Sequence, residues 1–384
     1  MPHAVIVDAL RTPSGRGKAG GALAAWHPVD LLATVLAELV ARNDLDPGLV
    51  DDVIGGCVTQ AGRQSLNVTR SAVLAAGFPE SVPATTVDRQ CGSSQQAVAF
   101  AAQGVVAEAY EIVIACGVEM MSNTPINSAR MGEDRFGSMI AARYPLGMVS
   151  QGVAAELVAK RWHLSREMLD AFAERSHRLA GAADFSAEML EIGELSTDET
   201  IRPGTTLAGL ASLAPAFRDA EMQERFPSLD WRITAGNSSP LTDGASAVLM
   251  MSEERALELG LVPRARIHAM AVTGSDPIEM LTGIIPVTRK ILDRTGLGID
   301  DLDTIEVNEA FACVPLAWQH EFAADASVIN PRGGAIALGH ALGSSGTRLL
   351  TTMLGQLERT GGRYGLQVMC EGGGMANAMI IERL

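Results

Sequence analysis

Two cysteines, one histidine and one asparagine lie in surroundings suited to chemistry at a carbonyl. Cys91, in "VDRQCGSSQQAVAF", stands at the mouth of an expected helix, beside Arg89 and ahead of Gly92, Ser93 and Ser94. A helix N-terminus and a nearby cation both favour a thiolate over a thiol. Most lone cysteines are inert and buried, but Asp88, Arg89, Gln90 and the two serines speak against an apolar core here. Gly92 leaves space for a substrate carbonyl to lie against the Cys91 amide. His340, in "NPRGGAIALGHALGSSGTR", has glycines on both sides. A lone histidine is more often a satisfied core or surface residue, yet these glycines let backbone and substrate pass close to the ring. Cys370, in "VMCEGGGMANAMI", ends an apolar run before Gly372, Gly373 and Gly374, read as a donor nest for developing negative charge. Asn308 and Glu309, in "TIEVNEAFACVPLAW", sit where a strand gives way to a helix, and in isolation Asn308 reads as an N-cap. A thiolate nucleophile needs a base and oxyanion donors, and a second cysteine is suited to moving protons at a carbon centre.

The elements that must position these residues alternate. A first strand is expected from Ala4 to Asp8, with others in "DDVIGGCVT" and "EIVIACG" and a helix in "NVTRSAVLAAG" closed by Gly77. From about Glu119 to Leu241 the strand signals fade. "QGVAAELVAKRWHLSREMLDAFAERSHRLAGAADF" reads as two amphipathic helices, with Ser165 as N-cap of the second. Alternation resumes at "DGASAVLMMSEERALELG". A Gly-Ser-Ser turn, a helix and a strand with a cysteine near its end occur twice, after Cys91 and after His340. The repeat predicts a duplicated βα layer fold whose halves bring Cys91 and His340 to a shared cleft.

Composition narrows the function. A chain of 384 residues is too long for one ordinary core. A net charge of −15 argues against nucleic-acid partners, so an anionic ligand must find a local basic patch. Five scattered cysteines form no disulfide framework and no zinc spacing; a reducing, cytoplasmic setting without a metal is expected. No apolar run approaches the ~18 residues of a membrane span, and no secretory signal is read. The glycine-rich turn lacks both GxxxxGK[ST] and a strand-borne GxGxxG, which disfavours nucleotide-loop and oxidoreductase readings.

Together, "RQCGSSQQA", "NEAFA", "GGAIALGHALGSSGTR" and "MCEGGG" resemble the four catalytic motifs of the thiolase family, in that family's order. "VIVDALRTPSGR" and "TAGNSSPLTDGASAVLMMS" extend the resemblance nearly end to end. It implies a five-layer αβαβα fold of two related halves, residues 1–118 with 242–262 and residues 263–384, around a loop domain at 119–241. It implies Cys91 as acyl-carrying nucleophile, His340 as its activator, Cys370 as acid/base and Asn308 as holder of a water. One oxyanion site would use His340 and that water, the other the amides of Cys91 and Gly372. Coenzyme A would be a cosubstrate, with no cofactor bound permanently. Arg202, Ser239, Met280 and Phe311 would contact CoA or substrate, and the assembly would be a homodimer or homotetramer acting on acyl-CoA, without membrane or nucleic acid.

Three departures qualify this. Ala341 replaces the family's proline, which is expected to loosen the histidine loop. Ser150-Gln151-Gly152 replaces the His-Met-Gly of short-chain biosynthetic enzymes. The segment from Met121 to Ser150 is short and unlike their substrate cover. The last two, with "DRQCGSSQQA", "DPIEMLTG" and "MCEGGGMANA", lean to a degradative enzyme for larger, ring-derived 3-ketoacyl-CoAs rather than a biosynthetic acetyl-CoA acetyltransferase. A non-catalytic CoA- or lipid-binding relative would have lost catalytic residues, and all four remain. Ketoacyl and hydroxymethylglutaryl-CoA synthases lack the paired cysteines.

Overall fold

The computed structural model describes residues 3–384, and its first strand, β1 (Ala4–Arg11), outruns the expected Ala4–Asp8. Two charges disguised its end. Arg11 is fully buried but pairs with Glu188 and Asp198, each at 2.8 Å, and Asp8 pairs with Arg42 at 2.8 Å and Arg264 at 2.9 Å. Charges enter a core when they are paired in this way.

The first half continues with α1 (Pro28–Ala41), β2 (Asp52–Gly56), α2 (Val68–Ala75), β3 (Ala84–Val87), α3 (Ser93–Val106) and β4 (Ile112–Met120). Cys116 therefore lies inside β4 rather than at its end. Residues 121–241 form helices and turns with only isolated bridges, led by α4 (Gln151–Arg161) and α5 (Arg166–Ala182). Ser165 caps α5 as expected, its Oγ accepting from the Met168 amide at 3.2 Å. The chain returns through β5 (Thr242–Ser252), then β6 (Ala265–Gly274), α6 (Ile284–Thr295), β7 (Thr304–Val307), α7 (Cys313–Phe322), α8 (Ser345–Thr360), β8 (Tyr364–Glu371) and β9 (Met375–Arg383).

Strand order is β3-β2-β4-β5-β1-β6-β9-β8-β7. The first five strands and the last four follow the same plan. In each, parallel neighbours (β3-β2-β4, then β7-β8) lead to antiparallel ones, and a parallel bridge at Ile305–Ile329 stands where β3 stands in the first half. Among the described residues, the strands of the two halves pair only where Val5 and Ile6 of β1 meet Arg266 and Ala265 of β6.

Side-chain alternation then builds five layers. On β4, Ile112 and Ile114 face one way, into a core with Leu36 of α1 and Val73 of α2. Val113 and Ala115 face the other way, into a core shared with Val98 of α3, Leu350 of α8 and Met379 of β9. Ala378 and Ile380 of β9 point outward to Val287 of α6 and Trp318 of α7. Strands covered on both faces read as continuous apolar runs, and these do.

In the central layer the two halves pack closely against each other. At the facing N-termini of α3 and α8, the Thr347 amide donates to Ser94 Oγ at 3.0 Å, and a Cβ on Gly346 would fall 2.1 Å from the Gln95 backbone nitrogen. Gly346→Val is therefore expected to destabilise the protein by about 1–3 kcal/mol through overpacking against backbone. Gly204→Ala, where an added Cβ meets nothing within 4 Å, is expected to change stability by less than about 0.5 kcal/mol. Urea unfolding midpoints of the two variants check this contrast.

Candidate active site

The Cys91 loop is built by local hydrogen bonds ahead of α3. Gln90 adopts a left-handed φ of 49°, held by its amide on Asp88 Oδ1 at 2.6 Å and by Ser93, whose Oγ donates to the Gln90 carbonyl at 2.6 Å. A non-glycine residue in that region is costly, and here it aims the next residue inward. Cys91 is 3% exposed and packs on Leu349 of α8 and Met369 of β8. The nucleophile candidate thus lies deeper than its polar neighbours suggested. Burial and the Glu371 carboxyl push its thiol up to about 12, while a hydrogen bond from the Gln151 side chain and its own backbone amide act the other way. In the resting site Cys91 is a thiol, not the expected thiolate.

The expectation for Gly92 also changes. A Cβ there would meet Glu371 Oε1 at 2.0 Å and Asn377 Nδ2 at 2.7 Å. That face is filled by protein, so the glycine serves the packing of the two cysteine motifs on each other rather than access for substrate.

His340 hangs between the halves. Its amide donates to Thr242 Oγ1 at 2.9 Å, and its Nδ1 lies 2.6 Å from Ser345 Oγ. Ser345 donates its own proton to the Ala341 carbonyl at 2.8 Å, so it accepts from Nδ1–H. Nε2 then keeps its lone pair and faces Asn308 Nδ2 at 3.5 Å. Burial and Arg348 push the ring's pKa down to about 3, which leaves it neutral and basic at Nε2. Ala341 holds φ at −70°, the value a proline would impose, so the histidine loop is not loosened by its absence. Glu119, on β4, clamps the same loop by accepting from the Gly343 amide at 2.9 Å and from Val58, Thr59 and Gln64.

Asn308 is not an N-cap, because α7 begins only at Cys313. Its amide donates to Val368 at 3.0 Å, and its buried Oδ1 has no partner. Next to it, Glu309 accepts from Ser176 Oγ at 2.7 Å, Asn330 Nδ2 at 2.8 Å and the Ile336 amide at 3.0 Å. Those bonds tie the asparagine loop to α5 and to the histidine loop.

Cys370 is buried near the end of β8, and burial followed by the nearby Cys91 sulfur raises its thiol. The three glycines after it form the β8–β9 hairpin turn rather than a shared nest. Gly373 is exposed, and Gly374 is closed in by Ser275, Asp276 and Pro277. Only Gly372 faces the site, with Gln90 Oε1 and Gln151 Nε2 lying 3.1 and 3.4 Å from its would-be Cβ.

Of the remaining candidates, Met280 and Phe311 share one buried core with Cys370, and Ser239 bonds to the loop that follows Asn308. Arg202 is exposed in the segment between α5 and β5, its amide donating to His177 Nδ1 at 3.2 Å. Ser239 is half-buried and donates to the Ala310 carbonyl at 3.1 Å. Phe311 packs edge-on to Phe217 with centroids 5.7 Å apart, and Met280 is buried in the same core. Ser345, Glu119 and Glu371 were missed from sequence, and Gln151 reads there only as a departure from the short-chain motif. Only Ser345 carried a local signal, a hydroxyl one helical turn past the histidine turn.

Residues 4–254 match the family model described as thiolase, N-terminal domain, and residues 261–383 the one described as thiolase, C-terminal domain. A steroid 3-ketoacyl-CoA thiolase of Mycobacterium tuberculosis is 48% identical, with 100% of this chain and 95% of that protein covered. A 3-ketoacyl-CoA thiolase of Aliivibrio salmonicida is 44% identical over the full length of both. Among solved structures, an acetyl-CoA acetyltransferase of Bacillus anthracis superposes with a TM-score of 0.88 at 36% identity, covering 100% of this chain and 99% of that one. With both halves matched and the five-layer architecture shared, this chain belongs to the thiolase family.

Proposed function

We propose that this protein cleaves a 3-ketoacyl-CoA with CoA, reversibly, to a shortened acyl-CoA and acetyl-CoA or a substituted acetyl-CoA. The observation that carries the reading is a neutral His340, its tautomer fixed by Ser345, in one buried region with Asn308 and two electrostatically coupled cysteines. His340 Nε2 takes the proton of Cys91, and the sulfur attacks the 3-keto carbon. The bond between C2 and C3 breaks, the acyl group stays on Cys91, and Cys370 protonates the departing carbon. In the second half Cys370 takes the proton of the incoming CoA thiol. The CoA sulfur attacks the acyl-enzyme to form the shortened acyl-CoA, and Cys91 leaves and regains its proton from His340. Splitting the cleavage into two acyl transfers is the advantage of covalent catalysis.

The amides of Cys91 and Gly372 serve one oxyanion. His340 and a water on the unpartnered Asn308 Oδ1 serve the other. Residues 119–241 cover CoA, with the exposed Arg202 at its nucleotide end and Ser239, Met280 and Phe311 nearer the acyl arm. The enzyme works as a homodimer or homotetramer in the cytoplasm, and among the described residues no helix is long and apolar enough to cross a membrane. A degradative enzyme for bulky, ring-derived substrates is favoured over a biosynthetic one. The steroid thiolase relative supports this, as does Gln151, which stands beside Cys91 where the short-chain motif differs.

In a thiolysis assay, Cys91→Ser is expected to lose on the order of 10³-fold or more in kcat, and Cys370→Ala roughly 10²–10⁴-fold. Near-full activity in either variant removes the role given to that residue. Ser345→Ala frees the imidazole to adopt the wrong tautomer. Its kcat should fall roughly tenfold with KM little changed, as loss of one buried hydrogen bond predicts. For substrate class, kcat/KM for a ring-derived 3-ketoacyl-CoA is expected to exceed that for acetoacetyl-CoA. The reverse order would return the chain to the biosynthetic reading.

A further inference from the structure

The acyl-transfer steps leave Glu371 without a task, although it follows Cys370 directly and closes β8. Its side chain is fully buried, and neither carboxyl oxygen has a hydrogen-bond partner. A group so placed is expensive to keep and calls for an explanation. The carboxyl lies on Gly92: Oε1 occupies the space of that glycine's missing Cβ, and Asn377 Nδ2 beside it donates to the Gly92 carbonyl at 3.1 Å. Gly92 is the N-cap of α3, and the residue before it is Cys91.

One helix end thus faces two acidic groups. A helix N-terminus carries roughly half a positive charge and stabilises one nearby anion. A second anion a few ångströms away in a buried site meets strong repulsion. The titratable and charged groups around the carboxyl are Asp88, Arg89 and Cys91 from the nucleophile loop and Cys370 from its own strand. Asn377 of β9 and Gln90 and Gln151 are neutral. Arg89 is the one cation among these, and it forms no ion pair with Glu371 in the structure, whose described residues place its Nε without a partner.

We propose that Glu371 is a positioning residue for the nucleophile: its carboxyl, laid on Gly92 at the head of α3, must hold its proton for Cys91 to release its own. The inference rests on the assignment of Cys91 as nucleophile. Burial pushes the Glu371 carboxyl up to about 8, against Arg89 and with Asp88, and its negative charge in turn raises both Cys91 and Cys370. The sign follows. Below about pH 7 Glu371 is neutral and does not oppose the thiolate. Above about pH 8 it is ionised, and each further unit of pH yields less thiolate than an isolated thiol would.

The test is the rate of Cys91 alkylation by iodoacetamide from pH 6 to pH 10, with the labelled cysteine identified by peptide mass spectrometry. Glu371→Gln keeps the shape and removes the charge. The variant is expected to match wild type at pH 6–7 and to react roughly tenfold or more faster above pH 8. A purely structural role would move the rate at every pH. Parallel profiles, or slower alkylation of the variant above pH 8, overturn the proposal while leaving Cys91 as nucleophile. If Cys91 takes neither iodoacetamide nor an acyl group from acyl-CoA, the nucleophile assignment falls and this proposal with it. Should the variant not fold, wild type alone decides. A rise of log rate that flattens near pH 8 supports the proposal, and a uniform tenfold rise per pH unit overturns it.

Discussion

Everything in the site hangs on the abutment of α3 and α8 at their N-termini. The contact is possible because Ser93, Ser94, Ser345 and Gly346 are small. Ser94 Oγ replaces a capping group for Thr347, and Ser246 Oγ reaches Ser344 and Thr347 at 2.7 and 2.6 Å from the strand beneath. Two helix ends forced together present two loops to one space. The loop before α3 carries Cys91 and the loop before α8 carries His340. Duplication of the half-fold therefore creates the site as a geometric consequence, since each half supplies what the other lacks.

Loops that have no ladder to hold them are fixed by buried carboxylates. Glu119 binds backbone amides of the segment after β2 and of the histidine loop, 224 residues apart from itself in the second case. Glu309 does the same for the asparagine loop, and Glu188 joins Arg11 of β1 to Arg332 at the start of the histidine segment. Breaking one partner of such a set strands a charge or a polar group in the core, which costs far more than an exposed pair contributes. The reacting groups are thus held by hydrogen bonds whose removal would be felt at a distance.

Motif residues were legible because their chemistry and their glycines are local in the chain. Strand periodicity, the capped helix at Ser165 and the repeated Gly-Ser-Ser turn are local too, and each was readable. What escaped depends on partners far along the sequence. The first strand reads as ending at Asp8, but it runs on to Arg11, whose charge Glu188 and Asp198 neutralise. Asn308 looked like a helix cap, but Phe311 pairs with Ser238 and the helix waits until Cys313. The glycines after Cys370 suggested a donor nest, whereas the antiparallel pairing of β8 with β9 makes them a hairpin turn. Gly92 promised room for substrate, and a carboxyl from the other half fills it.

In the proposed mechanism, burial of both partners also determines how Cys91 is activated. Desolvation lifts the Cys91 thiol to about 12 and lowers the His340 ring to about 3, so a standing thiolate–imidazolium pair is disfavoured from both sides. Cysteine–histidine sites that keep a thiolate at rest are electropositive and partly open, whereas here both groups are closed off from solvent. Proton transfer becomes favourable only as the negative charge moves on, from sulfur to a carbonyl oxygen facing backbone donors in the proposed mechanism. The thiolate is then a passing state tied to bound substrate. In the proposed mechanism the buried thiol reacts slowly on its own and is activated once an acyl carbonyl faces the amides of Cys91 and Gly372.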